Sequence, residues 1–228
     1  MSTHGSSLFP VYVWEVPVRI WHWVMAASMV VLAGTGYLIG SPLPSSGGEA
    51  STHFLFGYIR FAHFAAAYLF AVMFALRLLW AFIGNRFAGE IFFMPVKFFD
   101  RHWWDGLIDQ CKYYLFIKAK ARPWQGHNPV AMAAMFFMYV LGSLFMIVTG
   151  FALYGEGAGM NSWAYMAFSS WALPLFGYSM NVHTLHHLGM WYLIVFLIAH
   201  LYMAVREDIC SGETVMSAMV NGWRVEKE

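Results

Sequence analysis

Charged residues are scarce in this chain. Of its 228 residues only 11% are charged, whereas 60% are hydrophobic and 19% are aromatic, a balance unlike that of soluble globular domains. We therefore expect an integral membrane protein. The formal net charge is only +1 and there is no basic patch interleaved with aromatics, so nucleic-acid binding is excluded as a function class.

Cysteine is nearly absent. Cys111 and Cys210 stand far apart and belong to no C-x-x-C or cysteine–histidine spacing, which excludes a disulfide framework and a zinc site. The N-terminal stretch also lacks the basic segment, short apolar core and small-residue cleavage site of a signal peptide. We therefore expect the first apolar segment to be retained in the mature protein.

Four long apolar runs predict an all-α integral membrane protein. About 20 mostly apolar residues are needed to cross a bilayer core as a helix. The runs cover residues 18–40, 60–84, 129–154 and 186–206. We expect a bundle of four transmembrane helices that forms a single membrane domain over residues 1–228.

One further stretch competes as a fifth span. It runs from Ser162 to Met180, is uncharged and rich in aromatics, and has Pro174 and Gly177 near its end. Its apolar part is short for a crossing, and Trp and Tyr favour the membrane interface. We therefore predict an interfacial segment between helices three and four.

The basic residues predict the orientation of the bundle. Of the 13 Lys and Arg, seven lie between the second and third runs: Arg86, Lys97, Arg101, Lys112, Lys118, Lys120 and Arg122. By the positive-inside rule this segment is cytoplasmic. The other two connections contain only Arg60 and face the outer side, so both termini are cytoplasmic. Arg77, near the cytoplasmic end of the second run, is expected to snorkel toward the membrane surface.

Four histidines fall inside these runs, where ionisable side chains are costly and need a partner. His63 and His186 are expected near the outer face, and His22 and His200 near the cytoplasmic face. His200 lies about 21 Å deeper than His186, at about 1.5 Å per residue. Fourteen residues at about 100° each also bring these two onto nearly the same helix face.

Two imidazoles that reach inward from different helices at one depth are what a six-coordinate b-type haem requires. No C-x-x-C-H motif for covalent attachment is present. The sequence therefore predicts two non-covalent haems, one between His63 and His186 and one between His22 and His200. For a single membrane histidine the alternative is a hydrogen bond between helices, but four at two matched depths favour haem.

Glycines in the same helices can make room for a wide porphyrin. The candidates are Gly34, Gly36, Gly142, Gly150 and Gly189. Close helix packing is the alternative role of a membrane glycine. Arg60 and Arg206 lie near the two membrane edges, where they can bind the anionic haem propionates or serve as interface anchors.

The other histidines carry less weight. His187 points about 220° away from His186 around the helix, and His183 precedes the run and is expected to face elsewhere. The remaining ones lie in tails or loops and are expected to be solvated: His4, His53, His102 and His127.

Long strings in a fixed order carry a family resemblance from about Val13 to Trp223. They are "EVPVRIWHW", "GTGYLIGSPLP", "GYIRFAHFAA", "GHNPVAMAAMF", "TGFALYGEG", "VHTLHHLGMW" and "REDI" followed by "TVMSAMVNGW". The chain resembles the b-type cytochrome subunit of membrane-bound nickel-iron uptake hydrogenases. More distantly it is similar to the cytochrome b subunit of formate dehydrogenases, which is the alternative assignment. Residue chemistry alone indicates a dihaem membrane cytochrome, and the hydrogenase assignment depends on the resemblance.

The resemblance implies an electron-transfer function in the bacterial inner membrane. A large nickel-iron subunit oxidises hydrogen outside, iron–sulfur clusters of a small subunit pass electrons inward, and this subunit carries them through haem b to quinone. The small subunit also brings a membrane helix that packs against the bundle. The family's ligand positions match His22, His63, His186 and His200. Two haems are expected, although one can be lost because neither is covalent, and no catalysis is expected of this chain alone.

By the same resemblance, quinone binds near the cytoplasmic haem. Candidate residues at that level are Asn128, Glu207 and Asp208, besides the edges of the haem held by His22 and His200. Asn128 before Pro129 also suits a helix N-cap, and the acidic pair after Arg206 also fits a solvated helix end.

Two other function classes fit these observations less well. A histidine-based proton channel predicts acidic partners within the membrane, yet the first, third and fourth runs contain no interior carboxylate. A purely structural membrane anchor leaves the four matched histidines unexplained.

Overall fold

The computed structural model describes residues 9–44, 54–120, 122, 124–211 and 214–226. Within this part of the chain, four helices are long and apolar enough to cross a membrane. The four-helix prediction is therefore confirmed, and each helix extends beyond the apolar run that predicted it.

A short strand β1 (Phe9–Tyr12) precedes the first two membrane helices, α1 (Val16–Gly40) and α2 (Leu55–Ile83). Both helices expose large apolar side chains, among them Val30 and Leu79. Such faces suit contact with lipid tails, which are as apolar as leucine.

The segment between the second and third membrane helices is not a plain loop. It contains a 3₁₀ helix (Met94–Phe99) and the helix α3 (Arg101–Tyr114). The side chain of Asp100 accepts a hydrogen bond from the His102 backbone N–H at 3.0 Å, which satisfies one of the free donors at the start of α3.

The third membrane helix spans Pro129–Ala158. It consists of α4 (Pro129–Ala134), a π-helical stretch (Met135–Val140) and α5 (Leu141–Ala158). The predicted start is confirmed, because Asn128 caps α4 through a 2.8 Å hydrogen bond from the Ala131 backbone N–H to its side-chain oxygen.

The candidate fifth span does not cross as one helix. A π-helical stretch (Tyr165–Ser169) leads into the short helix α6 (Ser170–Leu175). This segment folds back on α5, where the Ser169 hydroxyl donates to the Ala152 carbonyl oxygen at 2.6 Å. Its eleven residues are too few for a bilayer crossing.

The fourth membrane helix, α7 (Ser179–Ser211), begins seven residues before the predicted run. His183 therefore lies within this helix, and the expectation that it precedes the helix is wrong. The helix α8 (Val215–Asn221) and the strand β2 (Trp223–Glu226) follow.

The two ends of the chain pair in a small antiparallel sheet, which the sequence did not reveal. β1 and β2 align Pro10 with Val225 and Tyr12 with Trp223. Gly222 enters this sheet with φ +88°, and a Cβ there would lie 2.6 Å from the Trp14 carbonyl oxygen, so a side chain is excluded. Pairing of both ends in one sheet requires both to lie on the same side of the membrane.

The chain divides into two compact units, each of which takes stretches of all four membrane helices. One unit contains residues 1–23, 76–140 and 197–228, and its buried core includes Trp14, Val18 and Phe87. The other contains residues 24–75 and 141–196, with Ala152 and Val182 fully buried.

Arg77 departs from expectation. Its side chain is only 4% exposed, and its guanidinium lies 5.1 Å above the Trp21 ring and 5.3 Å from the Phe92 ring. Snorkelling to the membrane surface is therefore wrong for this residue, because cation–π contacts hold it inside the protein.

Candidate functional site

His22 and His200 face each other within the first unit. The centroids of the two imidazole rings are 6.4 Å apart, and both rings are largely buried. α1 supplies one ring and the C-terminal half of α7 supplies the other. Nδ1 of His22 is buried and has no hydrogen-bond partner among the described residues.

His63, on α2, has a polar partner on another helix in the second unit. Its Nδ1 lies 2.9 Å from the Thr35 hydroxyl oxygen of α1. That hydroxyl donates its own hydrogen to the Val31 carbonyl oxygen one turn earlier, at 2.6 Å. With its one hydrogen donated to that carbonyl, the Thr35 oxygen accepts from the ring in this arrangement, which assigns the proton of His63 to Nδ1.

His186, on α7, has the same kind of partner. Its Nδ1 lies 2.8 Å from the Thr149 hydroxyl oxygen of α5, and this hydroxyl donates to the Phe145 carbonyl oxygen at 2.8 Å. The proton of His186 is therefore also on Nδ1, which leaves the lone pair of Nε2 free. His63 and His186 belong to the same compact unit.

Each of these threonines is followed by a glycine that makes room for the same histidine. A Cβ on Gly36 would lie 3.3 Å from Cε1 of His63, and one on Gly150 would lie 3.1 Å from Cε1 of His186. We call Thr35–Gly36 and Thr149–Gly150 the threonine–glycine pairs. The glycines were candidates from sequence, whereas the threonines were missed, although both stand in the quoted strings "GTGY" and "TGFA".

The other candidate glycines have different surroundings. No neighbouring group comes within 4 Å of the point where a Cβ of Gly34 would lie. A Cβ on Gly189 would lie 2.5 Å from Sδ of Met146, and one on Gly142 would lie 3.0 Å from a Leu193 methyl carbon. Gly142 and Gly189 therefore serve close packing of α5 against α7.

The histidines occur as pairs rather than as larger clusters. Within the described ranges, no group of three or more His, Cys, Asp or Glu is arranged to hold a metal ion. A metal that receives only two protein ligands needs the others from a cofactor, as in bis-histidine haem. With metal–nitrogen bonds of about 2 Å, two imidazoles on opposite sides of one iron have ring centroids roughly 6 Å apart, which the His22–His200 separation of 6.4 Å fits.

The two candidate propionate-binding arginines lie in different settings. The exposed Arg60 has its guanidinium 5.7 Å from the Phe64 ring. Arg206 lies over the rings of Tyr113 and Tyr114 at 4.7 and 5.0 Å. Nη1 of Arg206 is buried without a hydrogen-bond partner in the described part of the chain, so it retains a donor for an anion.

Asn128 has structural partners for both polar atoms of its side chain. Its side-chain oxygen caps α4, and its amide nitrogen donates to the Tyr114 hydroxyl at 3.0 Å. The cap interpretation is thus confirmed, and both polar atoms already have partners.

The two acidic residues have different surroundings, and only Glu207 lies near the same two tyrosines of α3. Burial, followed by the nearby charge of Glu207, raises the pKa of Tyr113 and of Tyr114. Asp208 accepts a hydrogen bond from the Met216 backbone N–H at 3.1 Å, so one of its oxygens is engaged near the start of α8.

His127 is not solvated as expected. Its side chain is 19% exposed, and its ring lies 4.9 Å from that of Trp14. Its backbone N–H and Nδ1 both bond to Oε2 of Glu90, at 3.0 and 3.1 Å. The spacing of Glu90 and His127 along the sequence gave no sign of this hydrogen-bonded pair.

His102 and His183 lie in helices, α3 and α7, whereas both were expected outside helices. His102 is exposed and accepts a hydrogen bond from Arg122 at 2.8 Å, and His183 is exposed on α7. His187 points toward Gly40, where a Cβ would lie 3.0 Å from its ring. His4 and His53 lie outside the described residues.

Comparison with known proteins identifies relatives of this chain. The relatives include three bacterial proteins, each named a probable Ni/Fe-hydrogenase B-type cytochrome subunit, with "1" after "hydrogenase" in the third. The one from Azotobacter vinelandii is 54% identical, covering 96% of this chain and 90% of the relative. The one from Cupriavidus necator is 52% identical, covering 98% and 91%. The one from Escherichia coli (strain K12) is 48% identical, covering 100% and 96%.

A family model described as prokaryotic cytochrome b561 matches residues 13–222, which include all four membrane helices and all four paired histidines. Cytochromes of this type carry haem b and transfer electrons, and the bacterial relatives imply a multi-pass protein of the inner membrane. The chain belongs to the prokaryotic cytochrome b561 family.

Proposed function

We propose that this chain is the electron-transfer subunit of a membrane-bound nickel-iron hydrogenase and that it holds two haems b. The facing rings of His22 and His200, 6.4 Å apart, carry the haem assignment. The hydrogenase partner is supported by relatives that are 48–54% identical over nearly the whole chain and are named hydrogenase cytochrome subunits.

In this proposal His63 and His186 ligate one haem, and His22 and His200 ligate the other. Bound haem b accepts and releases one electron at a time. The chain orients the ring nitrogens and excludes water from them. The glycines of the threonine–glycine pairs leave room beside His63 and His186, where a larger side chain would press on the ligand rings.

The arginines are proposed to hold the propionates. Arg60 serves the haem of His63 and His186, from a position one helical turn before His63. Arg206 serves the haem of His22 and His200. A cation–π contact uses the face of the guanidinium and leaves its edge for hydrogen bonds, and Nη1 of Arg206 has this edge donor to spare.

Electrons are proposed to enter from the iron–sulfur small subunit at the outer face, after the large nickel-iron subunit has oxidised hydrogen. They leave to quinone on the cytoplasmic side, where the positive-inside rule puts the basic segment. Asn128 uses both polar atoms for structure. We therefore assign the quinone side to the acidic residues Glu207 and Asp208, with Glu207 as the group that exchanges protons.

The haem assignment is tested by absorption spectra of the detergent-purified complex. The reduced-minus-oxidised spectrum and pyridine haemochrome quantification should give about two haems b per chain, and His63→Ala and His200→Ala should each lose about one. His187→Ala is the matched control, because this histidine neighbours His186 on α7 and faces elsewhere. Absence of haem from a well-folded complex would refute the cytochrome function of this chain.

The partner and the acceptor are tested separately. Hydrogen gas should reduce the haems of a complex purified through a tag on this chain, and failure with haem present would refute the hydrogenase partner alone. Glu207→Gln should slow quinone reduction by hydrogen while hydrogen still reduces haem at the wild-type rate. Asp105→Asn, an exposed substitution on α3, should change neither rate. Equal quinone turnover in wild type and Glu207→Gln would remove this residue from the quinone site.

A further inference from the structure

We infer that Thr35 and Thr149 are positioning residues that fix the ring tautomer of His63 and His186 and lower the reduction potential of the haem between them. This inference rests on the proposed ligation of haem by these two histidines. It adds two residues that the ligand pattern did not include.

The hydrogen bonds of Thr35 with His63 and of Thr149 with His186 have the same direction. Each threonine hydroxyl donates its hydrogen to a carbonyl oxygen of its own helix. Thr35 donates to Val31, and Thr149 donates to Phe145. The oxygen is left with only lone pairs to offer, and the ring Nδ1 lies 2.8–2.9 Å away. Each ring therefore donates from Nδ1 and keeps its Nε2 unprotonated, as a metal ligand requires.

The two arrangements are the same although they come from different helices. Thr35 reaches from α1 to α2, and Thr149 reaches from α5 to α7. In each case the next residue is a glycine, and a Cβ built on that glycine would lie 3.1–3.3 Å from the ring carbon Cε1 of the histidine. Two different helix pairs thus hold a histidine ring in the same way, with a threonine hydroxyl at Nδ1 and a glycine beside Cε1. Packing of apolar residues alone does not require this repetition.

A histidine ligand that donates its other N–H to an acceptor becomes a more basic ligand, and loss of such an acceptor typically costs about 10- to 100-fold in metal affinity. A more basic ligand stabilises the ferric state, so the two threonines lower the potential of their haem. In the proposed electron path this haem receives electrons first, and a lower potential there favours onward transfer.

The test substitutes each threonine by valine, which has the same shape and no acceptor. In the purified complex, Thr35→Val and Thr149→Val should each raise the reduction potential of one of the two haems. This is the haem that the His63→Ala variant lacks. Transfer of haem to an apo-protein acceptor should show that each valine variant binds this haem about 10- to 100-fold more weakly than the wild type. The second haem should titrate as in wild type.

Two further variants keep the test decisive. Thr35→Ser and Thr149→Ser retain the hydroxyl and should restore the wild-type potential. Thr184→Val is the matched control, because this threonine is on the same helix as His186 and donates to the Met180 carbonyl oxygen in the same way, at 3.0 Å. It should leave potential and affinity unchanged.

The outcomes separate this inference from the proposed function. If the valine variants keep the wild-type potential and affinity, or if the serine variants shift as the valine variants do, the threonines do not act through the ring nitrogens and the inference is wrong. If His63→Ala retains two haems, the proposed ligand pair itself is wrong and the inference falls with it.

Discussion

The imidazole rings of His22 and His200 face each other at 6.4 Å between centroids, although they come from opposite ends of the chain. The start of α1, up to residue 23, and the C-terminal part of α7, from residue 197, belong to the same compact unit. If both rings ligate one haem, they form a single functional site.

Substitutions within that pair should therefore not be additive. His22→Ala, His200→Ala and the double variant should all lose the same haem, so that haem content falls from two to about one per chain in each case. Pyridine haemochrome quantification on the purified complex measures this. A double variant that loses both haems, or a single variant that keeps both, would contradict a shared site.

A side chain beside a ligand ring should exclude haem by its bulk. Gly36→Leu and Gly150→Leu place carbon atoms where only 3.1–3.3 Å separates a Cβ from a histidine ring. We expect each to lose the haem of His63 and His186, because a packed interior cannot absorb the added volume. Haem content is again the measurement.

Gly57→Leu is the matched control for these substitutions. This glycine lies on α2, the helix of His63, but has no neighbouring group within 4 Å of the Cβ position. The variant should keep both haems. Haem loss from Gly57→Leu equal to that from Gly36→Leu would show that any bulky residue in these helices is harmful, and the close approach to His63 would not be the cause.

The orientation predicted from basic residues can be measured with the native cysteines. Cys111 and Cys210 are both exposed, and both are expected on the cytoplasmic side. A membrane-impermeant maleimide should label them in inside-out vesicles and not in intact spheroplasts. Ser41→Cys, in the first connection, should show the reverse pattern in a background without the native cysteines. Labelling of Cys111 from outside would show that the bundle has the opposite orientation to the predicted one.

The hydrogen bonds of Glu90 with His127 should contribute to stability. Glu90→Ala removes the acceptor of two largely buried N–H groups, so we expect a loss of about 1–3 kcal/mol. Glu90→Gln keeps an oxygen that can accept and should cost less. Thermal unfolding of the purified protein in detergent measures both. If the two variants unfold alike, hydrogen bonding to His127 is not what Glu90 contributes.

Much of the fold could be predicted because the bilayer imposes simple rules. A helix that crosses it needs about 20 apolar residues, so four runs predicted four helices. Helical periodicity singled out the histidines at positions 186 and 200 on one face of α7. The helix start at Pro129 followed from Asn128, whose amide caps a helix in a local and recognisable way.

Features that depend on contacts across the chain were missed. The strands β1 and β2 are four residues each, and they exist only because they pair with one another. Arg77 was expected at the membrane surface, but Trp21 and Phe92 enclose it. His127 was expected in water, but Glu90 and Trp14 cover it. None of these partners is a near neighbour in sequence.

By itself, the sequence determined that this protein resides in a membrane, how many times it crosses, and which four histidines are candidates to bind metal, because composition and helical period are local properties. Only the tertiary structure decided which oxygen accepts the Nδ1 proton of His63 and of His186. That choice depends on how each helix is rotated against its neighbour, and rotation is set by packing of side chains that come together only in the folded bundle.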